Sequence, residues 1–261
     1  MKTKPKVLVL LADGINRDVE LKYAFDIAGG NAAIVHINDL RAKKDSFKNY
    51  QILAIPGGFA YGDDIASGKI LATELTSFFK NELQTFINRK DTLTIGICNG
   101  FQALVRTGLL PFGNVGTMSV TLTNNDSGHF ECRWVPLKIE KSRCVFLQDM
   151  QEKHVLYPVA HGEGKFFTDN KTLKQIEENN LVAFRYIDNA SNPTQHYPEN
   201  PNGALNAIGG VTDTSGRILG LMPHPECFVQ TQQHPNWRRT NITKPHGLQI
   251  FKNMISYVKK A

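Results

Sequence analysis

Three short stretches of this chain carry groups suited to nucleophilic catalysis: a cysteine on a turn, a histidine close to a glutamate, and a glycine pair with free main-chain N–H groups. In Gly96-Ile97-Cys98-Asn99-Gly100 a cysteine stands between two glycines, after the apolar run TLTIGIC (92–98) and before FQALVRTG, which reads as the start of a helix. A tight strand-to-helix turn of this kind exposes a nucleophile, and the flanking glycines give the backbone room. A free thiol ionises near ~8.5, so at neutral pH it is mostly protonated; a helix N-terminus and a nearby imidazolium both favour the thiolate. The competing reading is a buried cysteine that merely ends a core strand.

A nucleophilic cysteine needs a base and a group to orient that base. Among the eight histidines, His224 stands out in LGLMPHPE, where an apolar strand delivers Pro223-His224-Pro225-Glu226. If the segment is extended there, residues two apart face the same side, so His224 and Glu226 become neighbours. The two prolines restrict the backbone around them. Alone, such a histidine is a surface or capping residue; beside the cysteine turn, the catalytic reading gains weight. The third stretch is PGGFAYGDD (56–64). Gly57 and Gly58 let main-chain N–H groups turn towards a developing oxyanion, and the N–H of Asn99 is the natural second donor. Without the other two stretches, a Gly-Gly pair after a strand is only a turn. HGEGKF (161–166) is weaker, because His161 and Glu163 are equally an acid-base pair or a polar loop. His246 reads as the start of the last helix, and Cys132, Cys144 and Cys227 as ordinary buried or partly buried thiols.

Positioning these groups requires a sheet. KVLVLLA (6–12), AAIVHI (32–37), QILAIPG (51–57) and TLTIGIC (92–98) are short, nearly continuous apolar runs, as expected of strands covered on both faces. Helical spacing links them in DVELKYAFDIAGG (18–30) and in one longer segment, ATELTSFFKNELQTFINRK (72–90). The alternation implies a doubly wound sheet of parallel strands whose C-terminal ends gather the reactive loops. From about residue 113 the pattern becomes short strand-like pieces, VTLTNN, RWVPLKIE, CVFLQ, VLYPVA, LVAFRYID and RILGLMPH, separated by turn signals. These extend the sheet or add a small antiparallel layer. HGLQIFKNMISYVKK (246–260) reads as a final helix.

Composition narrows the class. With 261 residues and 41% hydrophobic residues the chain can bury a sizeable core, and one domain over 1–261 is the expectation. The basic start MKTKPK is followed by too little apolar length for a signal peptide, and no stretch approaches the roughly 20 apolar residues of a membrane span. Four scattered cysteines without a CxxC pair argue against a zinc site or a disulfide framework and fit a reducing cytoplasm. The net charge of +6 is dispersed and comes with no nucleic-acid motif, so neither nucleic acid nor membrane is an expected partner.

GICNGFQ followed at a distance by PHPE resembles the class I glutamine amidotransferases, whose glutaminase domain uses a Cys-His-Glu triad. GINRDVE (14–20), PGGFAYGDDIASGKI (56–70), VAHGEGKFF (159–167), the stretch 185–210 and GRILGLMPHPE (216–226) narrow the resemblance to one branch, the glutaminase subunits of phosphoribosylformylglycinamidine synthases of purine biosynthesis. The resemblance covers nearly the whole chain. It implies a flavodoxin-like three-layer α/β/α fold, mostly parallel with a small antiparallel extension. It also implies Cys98 as nucleophile, His224 as base and acid, Glu226 as its orienter, Gly58 and Asn99 as oxyanion hole, and Gly57 and Gln102 as substrate contacts. Glutamine would be the substrate and a γ-glutamyl thioester the intermediate. Ammonia would pass to a formylglycinamidine ribonucleotide synthetase subunit, accompanied by a small accessory subunit. No cofactor or metal is implied on this chain; ATP and magnesium belong to the synthetase, in keeping with the lack of a Gly-x-x-x-x-Gly-Lys-Ser/Thr loop here. Residues 60–69 and 185–210 are candidate contact surfaces. One departure is Cys227, which stands where the family commonly has arginine. A cysteine hydrolase of similar fold and a non-catalytic docking subunit remain as alternatives.

Overall fold

The computed structural model describes residues 4–239 and 244–261; the first three residues of the basic start lie outside the described residues. In chain order the elements are β1 (Lys6–Leu11), α1 (Asp18–Ile27), β2 (Asn31–His36), α2 (Ile37–Arg41), β3 (Ile52–Ile55), α3 (Lys69–Phe78), α4 (Lys80–Asn88), β4 (Leu93–Ile97) and α5 (Asn99–Arg106). Then follow β5 (Thr121–Thr123), β6 (Glu131–Ile139), β7 (His154–His161), β8 (Lys165–Phe167), α6 (Asn170–Glu178), β9 (Val182–Tyr186), β10 (Ile208–Thr212), β11 (Ile218–Leu221) and α7 (Leu248–Lys260). Nine strands form one sheet in the order β2-β1-β3-β4-β11-β10-β9-β6-β7, and β5 pairs with β8 in a separate ribbon.

From β2 to β11 the neighbours are parallel, and from β11 to β7 every pairing is antiparallel. Only β10 and β6 therefore run against the rest. The sheet is mostly parallel by direction, but the antiparallel part is larger than the small extension expected.

Strands β3 and β4 are buried at every position, which is why their sequences are continuous rather than alternating in apolarity. The two faces can be traced through register. Val7 lies over Phe25 of α1 and Ile255 of α7, around Gly30. Leu8 points the other way and pairs with Leu53; two residues on, Ile55 pairs with Gly96, which faces Gly100 and Leu104 of α5. Helices α1 and α7 thus cover one face and α5 the other, giving the three layers. Gly100 is needed for that contact, because a Cβ there would stand 2.0 Å from the Ile55 carbonyl oxygen.

Two elements differ from expectation. The segment 72–90 is not one helix: α3 ends at Phe78, and Phe79 leaves helical geometry with φ −129° and ψ 17° before α4 begins. The break lets adjacent phenylalanines serve different purposes. Phe79 enters the core against Phe47 at 5.5 Å, while exposed Phe78 lies under the Arg41 guanidinium at 4.1 Å. CVFLQ is not a strand but a 3₁₀ turn over Val145–Leu147. Its carbonyls are taken by α7 instead of a sheet neighbour: Asn253 donates to Phe146 at 2.8 Å and also to Gln148. Local β propensity loses here to packing on the last helix.

Candidate active site

Three adjacent parallel strands, β3, β4 and β11, end beside one another, and each releases one of the stretches singled out above. Ile97 of β4 is in register with Leu221 of β11, and the Cys98 N–H donates to the Leu221 carbonyl at 2.8 Å. Cys98 itself has φ 52° and ψ −108°, a combination outside the ordinary left-handed well and costly for a residue with a side chain. Such strain persists only where the surroundings enforce it. The thiol is buried, and its Sγ donates to the Ala160 carbonyl of β7 at 3.6 Å.

His224 and Glu226 meet as expected, but by another route. The backbone at His224 has φ −105° and ψ 88° and then tightens into a 3₁₀ turn over Pro225–Phe228, with proline at its first position. The turn, not strand alternation, brings Glu226 Oε1 to 2.6 Å from His224 Nδ1. A carboxylate accepts only, so Nδ1 carries a hydrogen, and in the neutral ring Nε2 is the acceptor. Among the described residues, the buried side-chain polar atoms without a hydrogen-bond partner are His224 Nε2 and Glu226 Oε2. Unpartnered buried polar atoms are rare in folded proteins, and both here belong to one pair. Burial opposes a charge on His224, yet the Glu226 carboxylate and the Cys98 sulfur outweigh it and raise the imidazole above its ordinary value.

Gly57 shows how close the parts lie. A Cβ on it would stand 2.7 Å from His224 Cε1 and 3.4 Å from Cys98 Cβ, so the two side chains converge over bare backbone. The next residue, Gly58, has φ 141°, and a Cβ there would meet Asn16, Gly14 and Ile15 main-chain atoms at 2.7–2.8 Å. The loop after β1 supports this strand end: Phe59 N–H donates to Gly14 at 2.9 Å and Tyr61 N–H to Asp13 at 2.7 Å. Asn99 is the first residue of α5, where N–H groups have no partner inside the helix. Its side chain ties the start of α5 to the loop after β3, giving a hydrogen bond to Asp63 at 2.9 Å and receiving one from the Ala60 N–H at 3.2 Å. Gln102 is buried with both ends of its amide engaged, accepting from Asn99 at 3.0 Å and donating to the Glu163 carbonyl at 2.6 Å.

The other candidates fall in different places. Glu163 accepts from the Ser67 N–H at 3.2 Å and lies 3.9 Å from Arg106, which joins its loop to residues 63–68. His161 is buried beside His224, and burial together with that neighbour pushes it down to about 3. His246 precedes α7 and accepts from the Leu156 N–H at 2.9 Å, so it ties that helix to β7. Cys144 is buried and its thiol is pushed up to about 12, but Cys132 is exposed, contrary to expectation, because it falls on the outward side of β6. Cys227 is partly buried near Arg17 and Glu226, and burial raises its thiol. Donor atoms of His224, Glu226 and Cys227 lie within 4.8 Å of one another. The Arg17 guanidinium acts on both Glu226 and Cys227, which disfavours a cation there. Sequence reasoning missed the contribution of β7, whose Ala160 carbonyl meets the Cys98 sulfur and carries no residue type to announce it.

The family model for the CobB/CobQ-like glutamine amidotransferase domain matches residues 4–258. A chain of Methanococcus maripaludis named phosphoribosylformylglycinamidine synthase subunit PurQ is 42% identical over the full length of both chains. One of the same name from Dehalococcoides mccartyi is 43% identical over 99% of each. Among solved structures, a chain in the structure of PurLQS from Thermotoga maritima is similar with a TM-score of 0.74 and 28% identity, covering 98% of this chain and 99% of that one.

Proposed function

This chain belongs to the CobB/CobQ-like glutamine amidotransferase family, and on that premise we propose that it is the glutaminase subunit of a phosphoribosylformylglycinamidine synthase, with Cys98, His224 and Glu226 as its triad. The observation that carries the residue assignment is the pair of unpartnered buried atoms, His224 Nε2 and Glu226 Oε2, set against a strained Cys98.

The proposed reaction runs as follows. His224 Nε2 takes the thiol proton, Glu226 holding the ring through Nδ1. The Cys98 sulfur attacks the side-chain carboxamide carbon of glutamine, a C–S bond forms, and the carbonyl electron pair moves to oxygen. The N–H groups of Gly58 and Asn99 receive that oxyanion. The imidazolium then protonates the departing nitrogen, the C–N bond breaks, and ammonia leaves a γ-glutamyl thioester. Water gives a proton to Nε2 and attacks the thioester, and collapse returns the sulfur and releases glutamate. Dividing one amide hydrolysis into two steps lowers each barrier.

Gly57 is the floor of the substrate site. Gln102 acts on it indirectly, through the loop it holds at Glu163. Ammonia passes to a synthetase partner, an assignment supported by the likeness to the PurLQS chain, and ATP and magnesium are used there. A small accessory subunit completes the complex. Of the expected contact segments, Ala60 and Ser67 are buried, and so are Arg185, Tyr186 and Asn200. The large apolar side chains these segments leave exposed are Ile65 and Tyr197, and Phe59 is exposed just before the first segment. Among the described residues no helix is long and apolar enough to cross a membrane.

Replacing Cys98 by alanine tests the assignment in the assembled complex. Glutamine-dependent synthesis is expected to vanish while ammonia-dependent synthesis persists. Loss of both together would make Cys98 structural.

A further inference from the structure

The end of β7 holds both reacting residues by its main chain. The Pro158 carbonyl accepts the His224 N–H at 2.8 Å, and two residues on the Ala160 carbonyl meets the Cys98 sulfur at 3.6 Å. What fixes this strand end is the next side chain, His161. Its Nδ1 lies 3.2 Å from Asn125 Oδ1, and its Nε2 lies 3.5 Å from Asn202 Nδ2. Asn125 also grips the main chain on either side, donating to the His161 carbonyl at 2.8 Å and accepting from the Gly164 N–H at 2.9 Å. Asn202 is anchored in turn, donating to the Tyr186 hydroxyl at 3.1 Å. The loop closes on the ring so tightly that a Cβ on Gly164 would stand 2.4 Å from His161 Cε1.

We propose that His161 is a positioning residue of the glutaminase site: wedged between Asn125 and Asn202, its imidazole fixes the end of β7 and thereby the mutual aim of Cys98 and His224. The inference rests on the assignment of Cys98 as nucleophile. The hydrogen-bond chemistry fits one form of the ring. Asn125 Oδ1 accepts and Asn202 Nδ2 donates, so the ring must offer a hydrogen on Nδ1 and a lone pair on Nε2, which only a neutral imidazole does. Burial and the neighbouring His224 keep it in that form, leaving the working charge on His224 alone.

The test uses the glutamine-hydrolysing complex with His161→Leu and His161→Asn. Leucine fills the space without hydrogen bonds, whereas the asparagine amide places a donor near the position of Nδ1. Misplacement of reacting groups by an ångström costs up to about 10²-fold. We therefore expect His161→Leu to lower kcat by about tenfold to 10²-fold, with the KM for glutamine changed by less than about twofold. His161→Asn should recover to within about threefold of the wild-type kcat. If His161→Leu does not fold, Asn125→Ala removes the same bond from the other side and should lower kcat similarly. A kcat within about threefold of wild type in His161→Leu, or in Asn125→Ala where that variant replaces it, overturns the inference. So does an asparagine variant as impaired as the leucine one, or a loss confined to KM. Cys98→Ala in the same assay separates the two claims: if it is inactive while the His161 variants are unimpaired, only the role of His161 fails.

Discussion

The parallel part of the sheet presents the groups proposed to react on loops at strand ends, whereas the antiparallel part presents main-chain carbonyls and buried amides packed against them. Cys98, the Gly57–Gly58 loop and His224 leave β4, β3 and β11, three neighbours that point the same way. Pro158 and Ala160 come from β7, at the far edge in sheet order, and reach the same place because that end of β7 lies against the Cys98 sulfur and the His224 main chain. Chemistry and its alignment are thus drawn from different structural sources. Substitutions in the first region should remove steps of the reaction; those in the second should degrade their geometry.

The largest expected effect that separates the regions is at Glu226. Glu226→Gln keeps the shape but permits the wrong imidazole tautomer, and in a comparable Ser-His-Asp triad that change costs about 10⁴-fold. We expect a fall in glutamine kcat of roughly 10²-fold to 10⁴-fold, read by glutamate release. A fall below about tenfold would place Glu226 among the merely structural residues. Next comes Gly58→Ala. Its Cβ would collide with three main-chain positions of the β1 loop, which would turn the proposed oxyanion donor aside. Loss of one such donor typically costs about 10²-fold to 10³-fold, and we expect that range here. A normal kcat at an unchanged melting temperature would exclude the Gly58 N–H from the oxyanion site.

The smallest effect concerns pH and belongs to the antiparallel region. In the unfolded chain an imidazole binds a proton below about 6.5. Folded His161 stays neutral down to about 3, so between these values the unfolded state binds more protons. Stability contributed by the neutral ring is complete above about 6.5 and drains as pH falls towards 3. The melting temperature of His161→Asn should therefore decline less steeply than wild type across that window. Parallel curves would mean that the buried ring does not resist protonation.

The parallel region was largely legible in the sequence for a physical reason. Strands covered on both faces read as unbroken apolar runs, and a nucleophile turn requires small residues at fixed offsets, as Gly96, Cys98 and Gly100 supply. The antiparallel region was only partly legible. β8, α6 and β10 escaped notice, and CVFLQ looked like a strand until α7 claimed its carbonyls. His161 and Glu163 were visible as residues but not as parts. Their partners, Asn125, Asn202, Gln102 and Ser67, are distant in sequence, and a carbonyl such as that of Ala160 has no residue type to announce it. The His224–Glu226 contact was anticipated from spacing, yet it forms through a 3₁₀ turn that the two prolines allow rather than through strand alternation.

The most direct measurement of the central claim is to quench the complex with acid during glutamine turnover and weigh the peptide that contains Cys98. A γ-glutamyl thioester on Cys98, accumulating in the steady state and absent from Cys98→Ser, is the expected result. Glutamate release at a normal rate with no adduct at Cys98, or an adduct on Cys132, Cys144 or Cys227 instead, would contradict the assignment of Cys98 as the nucleophile.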